Sequence, residues 1–154
     1  MRFSFWSVGK THDALFKAGI EAFTGRIKHY YPVEWKILPP AKSPDAATGR
    51  SRESEAALAA LRPDDFLVLL DERGKPLTSP GLAQAVQQWA NEGRRQVVFL
   101  IGGAYGVDDS LRQRANLVWS LSPLVFPHQL VRVILAEQVY RACTIQRNEK
   151  YHHS

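Results

Sequence analysis

The chain has 154 residues, 20 Lys and Arg against 15 Asp and Glu, and one cysteine. That length suits a single domain, 1–154, able to bury its own core without disulfides or a structural metal. No apolar run approaches the roughly 20 residues that a membrane helix needs. No signal sequence is expected, because Met1 to Trp6 reads as a strand with no small-residue cleavage site after it.

Phe3 to Val8 is apolar and β-prone, and Gly9-Lys10 ends it. From His12 to Tyr30, Leu15, Phe16, Ile20, Phe23 and Ile27 fall on one helical face, with Thr11 as the expected N-cap. Val33 to Leu38 predicts a second strand between Pro32 and Pro39-Pro40. Pro39 to Arg52 has little to bury and predicts a mobile loop, followed by an Ala- and Glu-rich helix over Ser51 to Leu61. Phe66 to Leu70 is a continuous apolar run, as in a parallel strand buried on both faces. Gly74-Lys75-Pro76 predicts a turn, and Ser79-Pro80 starts a helix that ends at Asn91-Glu92-Gly93.

Gln96 to Ile101 predicts another buried strand. Asp108-Asp109 open a short helix, Leu117 to Leu121 forms a strand, and a long helix runs from Pro127 to about Arg147. Strands and helices alternate, which gives an α/β class with a mainly parallel sheet flanked by helices.

The charge is uneven. From Ser110 onward, Arg112, Arg114, Arg132, Arg141, Arg147 and Lys150 oppose only Glu137 and Glu149. A pI near 9.6 favours an anionic partner such as nucleic acid. Cys143, alone in an apolar helical run, suits a small buried residue and a reducing cytoplasm.

Four segments carry candidate chemistry. Gly102-Gly103-Ala104-Tyr105-Gly106 follows a buried strand at the carboxyl end, where open α/β sheets bind ligands. It is either a tight turn or a ligand floor. Its G-G-x-x-G spacing is neither a Rossmann fingerprint nor a P-loop. Leu121 to Pro127 is an apolar loop that either packs on its own core or walls an aromatic ring such as adenine.

The helix after Pro127 is apolar nearly all round, so a partner subunit is an economical cover. Its His128 and Arg132 share a face. Arg132 either meets a ligand or forms a salt bridge, and Glu137 with Arg141 suits an ordinary helix ion pair. In the tail, Tyr151 and the histidines either stack on a base or fray. Apart from the tail histidines, no cluster of residues has metal-ligand spacing, and no metal is expected.

The strings IGGAYGVDD and WSLSPLVFPHQLVRVILAEQVYRA, with the closing YH, resemble the SPOUT methyltransferases, and within them the ribosomal RNA large subunit methyltransferase H family. Val8-Gly9-Lys10 and the segment Leu70 to Lys75 extend the resemblance along the whole chain. It implies a C-terminal trefoil knot, an exception to the rule against threaded loops. It also implies a cytoplasmic homodimer that uses S-adenosylmethionine to methylate N3 of a pseudouridine in large-subunit (23S) ribosomal RNA, met in the ribosome or its subunit. The implied cofactor positions are Leu70, Gly102, Gly103, Leu121, Ser122, Pro123, Leu124, Val125, Phe126 and Pro127. The implied catalytic or RNA-facing positions are His128, Arg132, Tyr151 and His152. The alternative is a non-catalytic RNA-binding or ribosome-associated protein, for which the basic C-terminal third would serve but the apolar loop would have no purpose.

Overall fold

A computed structural model describes residues 1–153. Ten elements alternate along the chain: β1 (Arg2–Val8), α1 (Ala14–Ile27), β2 (Val33–Leu38), α2 (Ala46–Ala60), β3 (Phe66–Pro76), α3 (Ser79–Asn91), β4 (Gln96–Ile101), α4 (Asp109–Arg114), β5 (Leu117–Ser120) and α5 (His128–Gln146). The five strands form one sheet in the order β2-β1-β4-β3-β5, and every pairing is parallel.

Side-chain alternation along the strands builds two cores. On one face, Phe3 and Phe5 of β1, Val97 and Phe99 of β4, and Phe66 and Val68 of β3 pack against α1, α3 and α5. On the other, Trp6, Val8, Val98, Leu100, Leu67 and Leu69 pack against Ala57 of α2 and Leu111 of α4. Burial on both faces explains why β3 and β4 contain unbroken apolar runs. Helix α5 is flanked on the first of these faces by α1 and α3 of its own chain, and Cys143 is fully buried there.

Three local expectations are corrected. Asp13, not Thr11, caps α1: its carboxylate accepts from the Leu15 N–H at 2.9 Å, while the Thr11 carbonyl accepts from Gln129. Much of the expected 39–52 loop is helical, because Asp45 caps α2 by accepting from the Thr48 N–H at 2.7 Å. Gly74-Lys75-Pro76 is not a turn. After a register shift, Lys75 and Pro76 continue β3 opposite Trp119 and Ser120 of β5. A Cβ on Gly74 would lie 2.5 Å from the Val118 carbonyl oxygen, so glycine is there to let two strands approach.

Candidate active site

The chain leaves β1 toward β2 on one side and leaves β4 toward β5 on the other. The carboxyl ends of β1 and β4 therefore flank a topological switch point, where ligands of open α/β sheets collect. A cavity of about 300 Å3 opens beside it, over the ends of β4, β3 and β5.

The floor is the turn after β4. A Cβ on Gly102 would lie 2.8 Å from Val107 Cγ1. One on Gly103 would lie 2.5 Å from Glu53 Oε1 and 3.0 Å from Val8 Cγ1. The turn closes on itself, with the Gly106 N–H donating to the Gly103 carbonyl at 3.0 Å. Both glycines line the cavity with main chain, and at Gly103 a Cβ would press not into the cavity but into Glu53 and Val8 behind it.

Leu70 and Asp71, at the point where β3 loses its first register, form a second wall. Asp71 was not singled out by sequence reasoning, although it directly follows the Phe66 to Leu70 run. Its carboxylate is held by Arg112 Nε at 2.9 Å and more loosely by Arg73 Nη2 at 3.4 Å. Arg112 also pairs with Asp109 at 2.8 Å.

The third wall is the loop between β5 and α5, which contributes Leu121, Ser122, Leu124, Val125 and Phe126. Ser122 organises it: its carbonyl accepts from Ser120 Oγ and its hydroxyl accepts from the Leu124 N–H. Pro123 and Pro127 fall outside the lining. Pro127 ends the loop, and its carbonyl accepts the first α5 N–H, from Val131. Leu124 and Val125 are 69% and 79% exposed, a large apolar area for a loop to present to water.

The four polar candidates separate. His128 lines the cavity. Arg132, one turn further along α5, is only 1% exposed and turns instead toward β1. Its Nε donates to Ser7 Oγ at 3.0 Å, its Nη2 donates to the Lys10 carbonyl at 2.8 Å, and its Nη1 lies 3.2 Å from His12 Nδ1. Among the described residues it thus forms no salt bridge, and it does not line the cavity. Burial lowers its pKa. Burial, and then the Arg132 charge, lower that of His12.

Tyr151 and His152 lie together on α5, outside this cavity. The Tyr151 hydroxyl donates to Glu137 at 3.0 Å, its ring faces the Arg141 guanidinium at 4.7 Å, and His152 Nδ1 lies 3.2 Å from Arg141 Nη1. Arg141 itself pairs with Glu137 at 2.6 Å, as the spacing predicts. Tyr151 and His152 are folded back against α5 rather than frayed. Burial and the Glu137 hydrogen bond raise the Tyr151 pKa.

Much of the positive excess of the last third is engaged within the chain. Arg112 and Arg141 are ion-paired, Arg132 is buried, and Arg114 donates to the Arg62 and Asp65 carbonyls.

Trp119 lines the cavity, with its indole Nε1 buried and without a hydrogen-bond partner among the described residues. An apolar wall and a glycine floor with accessible main chain suit a flat aromatic ligand with polar edges. No group of three or more His, Cys, Asp or Glu that could hold a metal occurs among the described residues. No helix among them is long and apolar enough to cross a membrane.

The family model described as "Predicted SPOUT methyltransferase" matches residues 1–152. The chain belongs to the SPOUT methyltransferase family. Among its curated relatives, a protein of Geobacter metallireducens is 48% identical over 147 residues, covering 96% of each chain. One of Trichlorobacter lovleyi is 44% identical over 146 residues, covering 95% of each. One of Cytophaga hutchinsonii is 41% identical over 155 residues, covering 99% of this chain and all of its own. Each of the three is named ribosomal RNA large subunit methyltransferase H. In this SPOUT chain, the all-parallel sheet and the glycine turn after β4 supply the framework on which the site is built.

Proposed function

We propose that the protein transfers a methyl group from S-adenosylmethionine to N3 of a pseudouridine in large-subunit ribosomal RNA. The observation that carries this reading is the cavity itself: a glycine floor at the carboxyl end of β4 faces an apolar loop, with one imidazole at the edge. The names of the relatives supply the substrate class.

The residues present fit the cofactor. Leu121, Leu124, Val125 and Phe126 would enclose its adenine, and Gly102 and Gly103 would admit it closely against main chain. When bound, the cofactor supplies an electrophilic methyl on a sulfonium sulfur.

Methyl transfer needs alignment above all, and walls on three strands would hold the reactants in place. The N3 imide proton must leave as the new N–C bond forms. His128, the only one of the four polar candidates that lines the cavity, would take it. Arg132 enters this reading as a positioning residue. It anchors α5 to the β1–α1 connection and so sets the angle at which His128 meets the cavity.

Tyr151 and His152 lie outside the cavity of their own chain. A homodimer, with the trefoil knot implied by the family resemblance, would present them on a composite RNA-binding surface, and the exposed Leu124 and Val125 would gain cover. Assembled ribosomes or subunits would complete recognition for so small a chain.

The test is methyl transfer from labelled cofactor to ribosomes, isolated subunits and naked ribosomal RNA, with the modified position read by mass spectrometry. Label at N3 of a pseudouridine supports the reading. Label elsewhere, or none with a cofactor that binds, overturns the assigned reaction. An RNA-binding protein without catalysis would show no heat on titration with S-adenosylmethionine.

A further inference from the structure

Glu53 is only 5% exposed, yet it forms no ion pair among the described residues. Its Oε2 accepts from the Ala41 N–H at 2.9 Å, and its buried Oε1 has no partner. The other strongly buried carboxylates are occupied. Asp65 accepts from the Arg62 N–H and from Gln96, and Asp71 is held by Arg112. A buried carboxylate without a counter-charge is costly, so its retention points to a use.

Its position indicates which use. Oε1 lies against Gly103 and Val8, at the carboxyl ends of β4 and β1 where the sheet switches direction. Gly103 forms the cavity floor, so Glu53 sits immediately behind that floor. The charged groups lining the cavity are Asp71, Glu72, Arg73 and Arg112, with Asp71 paired to both arginines. Arg50 of α2 donates to the Tyr105 carbonyl at 3.3 Å and so reaches the turn, but it does not pair with Glu53. Arg132, the other buried charge near the end of β1, spends its donors on Ser7, Lys10 and His12.

We propose that Glu53 is an electrostatic selector that favours a cationic sulfonium ligand in the cavity over the neutral thioether left after methyl transfer. The inference rests on the cofactor reading above. In the transfer, the S–CH3 bond breaks, its electron pair stays on sulfur, and the sulfonium charge disappears. The two ligands share the adenine, the ribose and the amino-acid end. An apolar wall and a glycine floor meet the same surfaces in both. A fixed anion behind the floor distinguishes them by charge, which acts through the protein interior without contact. The enzyme would thereby retain substrate and release product.

The test is calorimetric titration of the full-length protein and its Glu53→Gln and Glu53→Asp variants. The ligands are S-adenosylmethionine, S-adenosylhomocysteine and sinefungin, a cationic analogue without a transferable methyl. Glu53→Gln should weaken both cationic ligands about tenfold and the thioether less than about twofold, and Glu53→Asp should keep the wild-type ratio. A proportional loss for all three ligands overturns the proposal, because the carboxylate would then be structural or would face the ammonium they share. An unchanged ratio in Glu53→Gln also overturns it. If Glu53→Gln does not fold, the wild-type protein still decides: sinefungin binding more weakly than S-adenosylhomocysteine sinks the proposal. Folded wild-type protein that binds none of the three refutes the cofactor reading itself, a result distinct from failed selection.

Discussion

Replacing Arg132 with Ala should destabilise the protein before it affects any chemical step. The guanidinium is almost fully buried and joins α5 to three acceptors on or just after β1. Lys10 is exposed and His12 half-buried, so water can replace the lost donor at both. Ser7 is fully buried, and leaving its hydroxyl without that partner costs about 1–3 kcal/mol. The void left by the aliphatic stem adds about 2 kcal/mol, partly offset because a desolvated charge has gone. A net loss of about 3 kcal/mol corresponds, in a chain of this size, to a drop in Tm of roughly 6–12 °C. Differential scanning calorimetry measures the drop, and methyl transfer well below the new Tm measures what activity survives. Arg132→Lys, which keeps a donor for the Lys10 carbonyl or Ser7, should recover part of the Tm. An Arg132→Ala protein with Tm within about 2 °C of wild type but no activity would refute this reasoning and place the guanidinium on the substrate.

Gly103→Ala should lose about 1–3 kcal/mol, because its Cβ meets Glu53 Oε1 at 2.5 Å and Val8 at 3.0 Å. It should also lose cofactor binding by calorimetry, whereas Gly25→Ala, which meets nothing and lies in α1, should leave binding unchanged and gain up to about 1 kcal/mol. The folded His12 pKa lies below its ordinary 6.5. The folded state therefore binds fewer protons, and the stability contribution is complete above about 6.5 and is lost as pH falls through the folded value. Urea midpoints should fall on acidification from pH 7.5, and His12→Asn should flatten that slope. Burial pushes the Cys143 thiol up to about 12, so iodoacetamide at pH 8 should leave the native protein unlabelled and modify it only in denaturant.

The parallel sheet was legible because β3 and β4 are buried on both faces, which imprints continuous apolar runs on Phe66 to Leu70 and Val97 to Ile101. The glycine turn was legible because a strand ending in Gly102-Gly103 leaves few structural uses for two small residues. Contacts made across long sequence separation were not legible. Helical spacing placed Arg132 on a face with His128, but the ligands of its guanidinium lie at residues 7, 10 and 12. Gly74 and Pro76 carry turn chemistry, and only pairing with β5 holds them in a strand. The helix over residues 46–50 has modest local propensity. It is fixed by the Asp45 cap and by the seat of the Tyr105 ring on Gly49, and a local window contains only the first. The unpaired oxygen of Glu53 is likewise a property of packing, with no signature in the run of residues around it.

The strand order also constrains how the chain is made. β1 leaves the ribosome before the other four strands, yet it occupies an interior place in the sheet, and its second neighbour is β4, with Arg2 opposite Gln96. At about 5–20 residues per second, the nascent chain waits roughly 5–20 s between exposing β1 and supplying that partner. In the interval β1 has only β2 beside it and presents an apolar edge that includes Phe3, Phe5 and Trp6. Chains released before Ile101 should therefore aggregate rather than fold, and synthesis speed between β2 and β4 should set the yield of native protein.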